Sequence, residues 1–550
     1  MSITATGVEI ERSKLLDPIF LASLAVPVAA IALIGSPAAY AAIVVPALAG
    51  VWRILLPIAR RQARTNQVDM DLLFLLAHMY AVSTGRPARR RLFELNTLVG
   101  EYGDYQRVLR RIAVLAVEWG YGFVRATRML ANQVRNDAFR GFLIRMSEVL
   151  RTGDDVVRFL RVELETAIRQ FTSSYMRAID LMRIFLGLYT TLMSASAFVI
   201  LTFTILAVFM GGDSSVFVVS IVALTATIAV FAFIAKMISP RDPIIYRSKE
   251  VLNPMLTRLA RITRLTFAAS IVLGLLTYTI THDPMYTILA FALPALVPGI
   301  VAMRIEGFIK RINMFYQVFV RSFGLTFSVM PNYASALASV LSADYGVLTP
   351  YLRRLHARIT NGIDPRIAFR YFILETMSTN VLRGTNIMVD SIDAGGDATE
   401  TGLMLSSLLI RLGDLRIDRD RVARTFEAVV YLMQGLVAAI SSAVVNILLL
   451  FMGYYRQLIG MSQTMPEVVQ YLPFAITIPN MTLVSWAIAI FLAALILINA
   501  IMIAYVRSSI FEIALFHIAV LAIVTVAGVK AMEVISRMLI MPVLIPGPTS

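Results

Sequence analysis

The chain has 550 residues, 58% of them hydrophobic and 15% charged, with a mean hydropathy of +0.75, which excludes a water-soluble protein of this length and defines an integral membrane protein. It still carries 50 Lys and Arg against 35 Asp and Glu, a formal charge of +15. With no cysteine there is no disulfide framework, thiolate metal site or cysteine nucleophile, and none of the five lysines follows a glycine, so there is no phosphate-binding loop.

The four histidines (His78, His282, His356, His517) lie far apart, and neither a His-Glu-x-x-His pair nor a Gly-x-Ser-x-Gly elbow occurs. The sequence therefore reads as a non-enzyme with no cofactor and no metal site.

A bilayer core about 30 Å thick needs about 20 mainly apolar helical residues. In chain order that length picks out nine spans, at about 18–34, 38–58, 183–210, 215–238, 264–281, 285–303, 429–453, 482–506 and 511–529. The first two read as a hairpin closed by Gly35-Ser36-Pro37. The acidic and basic N-terminus lacks the basic start and small-residue cleavage site of a secretory signal and is expected to be retained.

Lys and Arg set the orientation, because loops on the cytoplasmic side carry their excess. With a cytoplasmic N-terminus, 47 of the 50 fall inside and only Arg456, Lys530 and Arg537 outside. After nine crossings the C-terminal tail is then extracytoplasmic. The expected organisation is N-terminus and two spans at 1–58, a first cytoplasmic helical domain at 59–182, two spans at 183–238 and a basic loop at 239–263. Two spans at 264–303, a second helical domain at 304–428, three spans at 429–529 and the tail at 530–550 complete it.

Both long polar segments read as compact helical bundles. In the first, Leu72, Leu73, Leu76 and Met79 mark one face of a helix that ends near Gly85-Arg86-Pro87. A second helix covers about 105–119 and stops at Gly120-Tyr121-Gly122, and two more are broken at Gly153. An offset of 242 residues superposes the halves, taking Gly120 to Gly362, Ala126 to Ala368, Gly153 to Gly395 and Asp155 to Asp397. The fold class is thus an all-α polytopic membrane protein: nine transmembrane helices, two cytoplasmic helical-bundle domains and an internal tandem repeat.

In order and topology these residues resemble the platform proteins of type II secretion and type IV pilus machines, and within them the archaeal type IV filament platforms that serve the archaellum. The likeness rests on Met70-Asp71-Leu72-Leu73-Phe74 running to Ser83-Thr84-Gly85-Arg86-Pro87, on Gly120-Tyr121-Gly122 and Arg151-Thr152-Gly153-Asp154. In the second half it rests on Asp344-Tyr345-Gly346, Ala394-Gly395-Gly396-Asp397 and the charged run Arg416 to Arg421. Met330-Pro331-Asn332-Tyr333 departs from the pattern, with no Gly at the first helix end. The resemblance implies a non-enzymatic platform beneath a filament. It would dock a hexameric secretion ATPase, contact pilin or archaellin subunits in the lipid bilayer and form a homodimer.

Three groups are candidate partner contacts. Arg86, Arg89, Arg90 and Arg91 concentrate charge after a helix end, suited to an acidic ATPase face or anionic lipid, or forming an ordinary positive-inside loop. Asp344, Tyr345, Gly346, Gly395, Gly396 and Asp397 sit at helix breaks, where partner contact competes with plain capping and turn geometry. Arg416, Arg419 and Arg421, alternating with acids before the seventh span, read as a rigid lever or as a solvated, salt-bridged helix. In the ninth span Glu512 and His517 form a conceivable proton relay, set against an interfacial Glu able to reach Arg507 and a neutral bundle-facing His.

The main rival is a secondary transporter with two parallel repeats, but its expected midplane charges are missing beside Pro46, Pro294 and Pro298-Gly299. A nucleic-acid channel rests on net charge alone, without interleaved aromatics, so no nucleic acid is expected.

Overall fold

The computed structural model describes residues 69–209, 214–240, 242–248, 253–462, 481–507 and 510–544. The spans expected at 18–34 and 38–58 lie outside the described residues, as does the end of the tail. Among the described residues no strand forms, only an isolated antiparallel bridge between Ile245 and Ser378.

The first half comprises α1 (Met70–Ser83), α2 (Arg89–Phe93), α3 (Gly103–Val117), α4 (Gly122–Ala131), α5 (Asp137–Thr152), α6 (Val156–Phe209) and α7 (Ser214–Ile238). The second comprises α8 (Pro254–Thr281), α9 (Pro284–Ala292), a 3₁₀ turn at Leu293–Ala295, α10 (Leu296–Val329), α11 (Tyr333–Val340), α12 (Thr349–Thr360), α13 (Pro365–Thr376) and α14 (Thr379–Asp393). α15 (Ala398–Ser462), α16 (Met481–Arg507) and α17 (Ile513–Leu544) follow. Seven described helices are long and apolar enough to cross a membrane, and they contain the expected third to ninth spans.

The repeat is visible in the caps. Asn136 opens α5 by accepting from the Phe139 N–H, and Ser378, 242 residues on, opens α14 by accepting from the Val381 N–H. Both helices then end before a left-handed glycine, Gly153 at φ 79° and Gly395 at φ 75°, a geometry that other residues adopt only with strain. α6 and α15 restart at Val156 and Ala398, again 242 apart. In the second half the chain breaks at Met330-Pro331, and Asn332 opens α11 by accepting from the N–H groups of Ala334 and Ser335.

One hydrophobic core serves the polar parts of both halves. It joins α1, α3, α5 and the start of α6 (Leu73, Leu109, Phe142, Leu164) to α10, α12 and the start of α15 (Phe319, Leu352, Leu408). Every α1 residue except Asp71 is buried, so this helix is enclosed on all sides and not packed by a single face. A second core, between spans, gathers Tyr189, Phe426, Phe491, Leu495 and Leu521. The outer face of α8 instead exposes Leu265, Phe267, Val272 and Leu275, as lipid-facing side chains do.

α6 has 54 residues and α15 has 65, so at 1.5 Å per residue they run unbroken for about 80 and 97 Å. Each carries both polar-bundle and span residues, which makes them mechanical continuations of the spans.

Candidate functional site: the seam between the halves and its tie to the spans

α14 lies against α1 along a polar seam. At its centre the buried Asp390 carboxylate meets His78 Nε2 at 2.8 Å, the Asn96 N–H at 3.1 Å and the Arg91 guanidinium. An ionised carboxylate only accepts, so His78 Nε2 carries a proton, and in the neutral imidazole Nδ1 accepts from the Tyr102 hydroxyl at 3.1 Å. Burial pushes Asp390 up, but the hydrogen bond from His78 and the Arg91 guanidinium outweigh it and hold the carboxyl below its usual range. Burial pushes the Tyr102 phenol up.

The seam continues along α14 in both directions. Asn386 accepts from the Leu98 N–H at 2.9 Å and donates to the Val99 carbonyl at 2.8 Å, and Arg383 reaches Asp71 at 2.5 Å while lying over the Phe74 ring. Ser391 donates to the Ala81 carbonyl at 2.9 Å, and the Asp397 N–H donates to Thr84 Oγ1 at 2.9 Å. Glu400 closes the row by accepting from Tyr80 and Arg161. Burial and the bond to Glu400 push the Tyr80 phenol up to about 12.

Two glycines permit this approach. A Cβ on Gly85 would lie 2.6 Å from the Ala394 carbonyl oxygen, and one on Gly396 would lie 2.4 Å from Ser391 Oγ and 2.9 Å from the Ala81 oxygen. Beside Asp390 a cavity of about 380 Å³ opens between the halves, lined by Asn96, Glu101, Arg110, Arg366 and Asp393 among others. Its charges are already matched, Arg366 to Asp393 at 2.8 Å and Arg110 to Glu101 at 3.1 Å.

About 28 Å further along α15, at 1.5 Å per residue from Asp397 to Arg416, a second cluster ties the bundle to the spans. Arg416 grips Asp242 through two hydrogen bonds of 2.5 and 2.6 Å and donates to Asn380. Burial opposes ionisation of Asp242, but Arg416 prevails and holds its carboxyl below the usual range. Arg419, 2% exposed, donates to the carbonyls of Pro240, Tyr505 and Val506 and to the Ser239 hydroxyl. These bonds lock α15 to the end of α7 and the end of α16.

The sequence candidates divide accordingly. Arg86, Arg89 and Arg90 are exposed, with Arg90 paired to Glu94 at 2.9 Å, whereas Arg91 turns inward to Asp390. Asp344 accepts from the Gly346 N–H and the Thr349 hydroxyl, Tyr345 is buried against Phe319, and Gly346 sits at φ 51° under the Phe315 ring. Gly395, Gly396 and Asp397 lie on the seam, and Asp397 also caps α15 by accepting from the Glu400 N–H. Arg416 and Arg419 are buried ties, while Arg421 is exposed and paired with Asp418. Glu512 pairs with Arg247 at 2.8 Å; Arg507 approaches Glu427 and Asp420 at 3.4 and 3.7 Å. His517 contacts the Tyr431 hydroxyl at 2.6 Å.

Sequence reasoning missed Asp390, His78 and Asp242, which lie in segments without a local signal. It also missed a hydrogen-bonded chain inside the spans. Tyr189 donates to Asn499, Asn499 to Gln434 at 2.9 Å, and Gln434 to Thr525 at 2.9 Å. Polar residues at span depth were the available signal, and this chain holds four spans together.

Fold and site together define a duplicated, multi-pass, all-helical membrane protein whose long helices carry a polar bundle rigidly beyond the spans. Its likeness among known proteins is to archaellum components. The chain is 24% identical over 471 residues to the flagella accessory protein J of Methanocaldococcus jannaschii, covering 82% of this chain and 81% of that one. It is 24% identical over 377 residues to the flagella accessory protein J of Methanococcus voltae, covering 65% of this chain and 66% of that protein. Both relatives are named as accessory proteins and not as enzymes. No family profile and no solved structure matches. The resemblance to the archaellum platform proteins read from motif order and topology thus holds over most of the chain, and by that likeness this is an archaellum-related membrane protein.

Proposed function

We propose that this protein is a non-enzymatic platform at the base of an archaellum or archaeal type IV pilus, docking a hexameric secretion ATPase and coupling its cycle to assembly of pilin-like subunits. In this reading 59–182 and 304–428 are the cytoplasmic domains, the N-terminus is cytoplasmic, the C-terminus extracytoplasmic, and the protein works as a homodimer in the cell membrane. The observation that carries the reading is mechanical. α6 and α15 run unbroken from the polar bundle into the spans, and the seam and the Arg416 and Arg419 ties make bundle and spans one body. A chain without a nucleotide loop takes its energy from a partner, and a stiff body passes a push from one end to the other without dissipating it in hinges. The exposed Arg86, Arg89 and Arg90 lie beside the seam at the end of the bundle away from the apolar segments, where a soluble motor has access.

The test is a strain lacking the gene. Loss of filaments, restored by the wild-type gene, is expected, with lost swimming marking an archaellum and lost surface attachment marking a pilus. Filaments at normal number without the protein contradict the reading.

A further inference from the structure

We propose that the turn at Trp119 to Tyr121 and the α4 face that follows form a docking surface for an acidic protein partner, with Trp119 as the anchor that enters an apolar pocket on that partner. Trp119 is 68% exposed, a rare state for the most costly side chain to leave in water, and Tyr121 and Met129 are exposed beside it at 47% and 43%. Arg125 and Arg128 lie on the same stripe as Tyr121 and Met129, at spacings of three, four and seven residues. Both are exposed and neither forms an ion pair among the described residues, although the charge of Arg128 is felt by the Glu148 carboxylate. Tryptophan, tyrosine and arginine are the residues that dominate binding energy at interfaces.

Position excludes the bilayer as the occupant. Asn136, at the start of α5, donates to the Tyr105 hydroxyl at the start of α3 at 3.0 Å, so α4 doubles back along α3 and its start lies towards the end of α5 at Gly153, where α6 begins. The apolar part of α6 starts near residue 183, about 40 Å further along at 1.5 Å per residue. Trp119 therefore projects from the end of the bundle far from lipid.

The internal repeat supplies the comparison. At the positions 242 residues on from Trp119, Tyr121, Arg125, Arg128 and Met129 the second half has Asn361, Ile363, Ile367, Arg370 and Tyr371, so the tryptophan and Arg125 have no counterpart there while the second arginine does. Nearby arginines of the second half are neutralised at home, Arg358 by Glu375 and Arg366 by Asp393. The exposed tryptophan and the arginine at 125 are thus specific to the first half, the one with 20 basic against 13 acidic residues over 59–182. Exposed arginines beside an exposed tryptophan fit carboxylates around an apolar pocket.

The choice of a secretion ATPase as the probe rests on the platform reading. The experiment titrates the purified ATPase against the full-length chain in nanodiscs. Trp119→Ala is expected to weaken binding at least tenfold and Trp119→Phe less, while Asn361→Ala leaves it unchanged. Arg125→Glu with Arg128→Glu is expected to weaken binding and flatten its dependence on salt. If the wild-type chain binds no ATPase, the platform reading fails and takes this partner with it. If the wild type binds and Trp119→Ala binds within twofold of it, the docking surface alone is overturned. A Trp119-dependent attachment to anionic vesicles would also overturn it, by making lipid the occupant.

Discussion

Replacing Asp390 by alanine should open the seam. The carboxylate is 2% exposed and receives hydrogen bonds from His78, Arg91 and the Asn96 N–H, so its removal leaves the buried His78 N–H without a partner and strips one from the part-buried Arg91 guanidinium and Asn96 N–H. Removing one partner of a buried ion pair costs about 3–5 kcal/mol, because the other is left uncompensated. For a bundle of this size each kcal/mol shifts a melting midpoint by about 2–4 °C, so a fall of order 10 °C is expected. The naturally cysteine-free chain gives a direct assay. Ala81, fully buried where Ser391 meets its carbonyl, replaced by cysteine, reports opening through its rate of thiol labelling. Asp390→Ala in that background should label faster and melt lower, whereas Asp154→Ala, on an exposed loop, should do neither. Unchanged labelling and melting would refute the claim that this cluster holds the halves together. The same group sets a pH dependence. Its folded pKa lies below the unfolded value of about 3.9, so its contribution is complete above that pH and is lost as the pH falls through the folded value. The melting midpoint should therefore fall further below about pH 4, and Asp390→Asn should remove that part of the fall.

Other substitutions probe the remaining parts. Gly396→Ala places a methyl group 2.4 Å from Ser391 Oγ and should destabilise the seam by about 1–3 kcal/mol, seen as a lower melting midpoint; no change would mean the halves do not approach this closely. Arg419→Met keeps the apolar stem but strips hydrogen bonds from three carbonyls and a hydroxyl, and should speed proteolysis of the 239–248 segment while leaving labelling at position 81 unchanged. Single cysteines at positions 90, 213 and 465 should label from the inside, the outside and the outside of intact cells; an inside label at 213 would invert the orientation.

How far the sequence could be read depended on the range of the interaction. The third to ninth spans were legible because twenty apolar residues carry their own signal, and the repeat was legible because left-handed glycines such as Gly153 and Gly395 are demanded locally. Asp344 and Asp397 make the turn and capping bonds that were set against partner contact, for the same local reason. The seam was not legible. Nothing near Asp390 in sequence names His78 or Arg91, some 300 residues away, as its partners. The run Leu72 to Leu76 hinted that α1 is enclosed on every side, and its one-face reading concealed the shared core. Arg416 and Arg419 looked like members of a solvated charge run because their partners, Asp242 and the Tyr505 carbonyl, come from elements that only the fold brings together.

The central claim is that force passes through a bundle tied rigidly to the spans. Its most direct test complements a gene-deletion strain with Asp242→Ala, which unpairs the buried Arg416, and counts filaments alongside ATPase binding by the same protein in isolated membranes. With the variant present at wild-type level, the account predicts that ATPase still binds while filaments are lost. Filaments at wild-type number in that strain would contradict it.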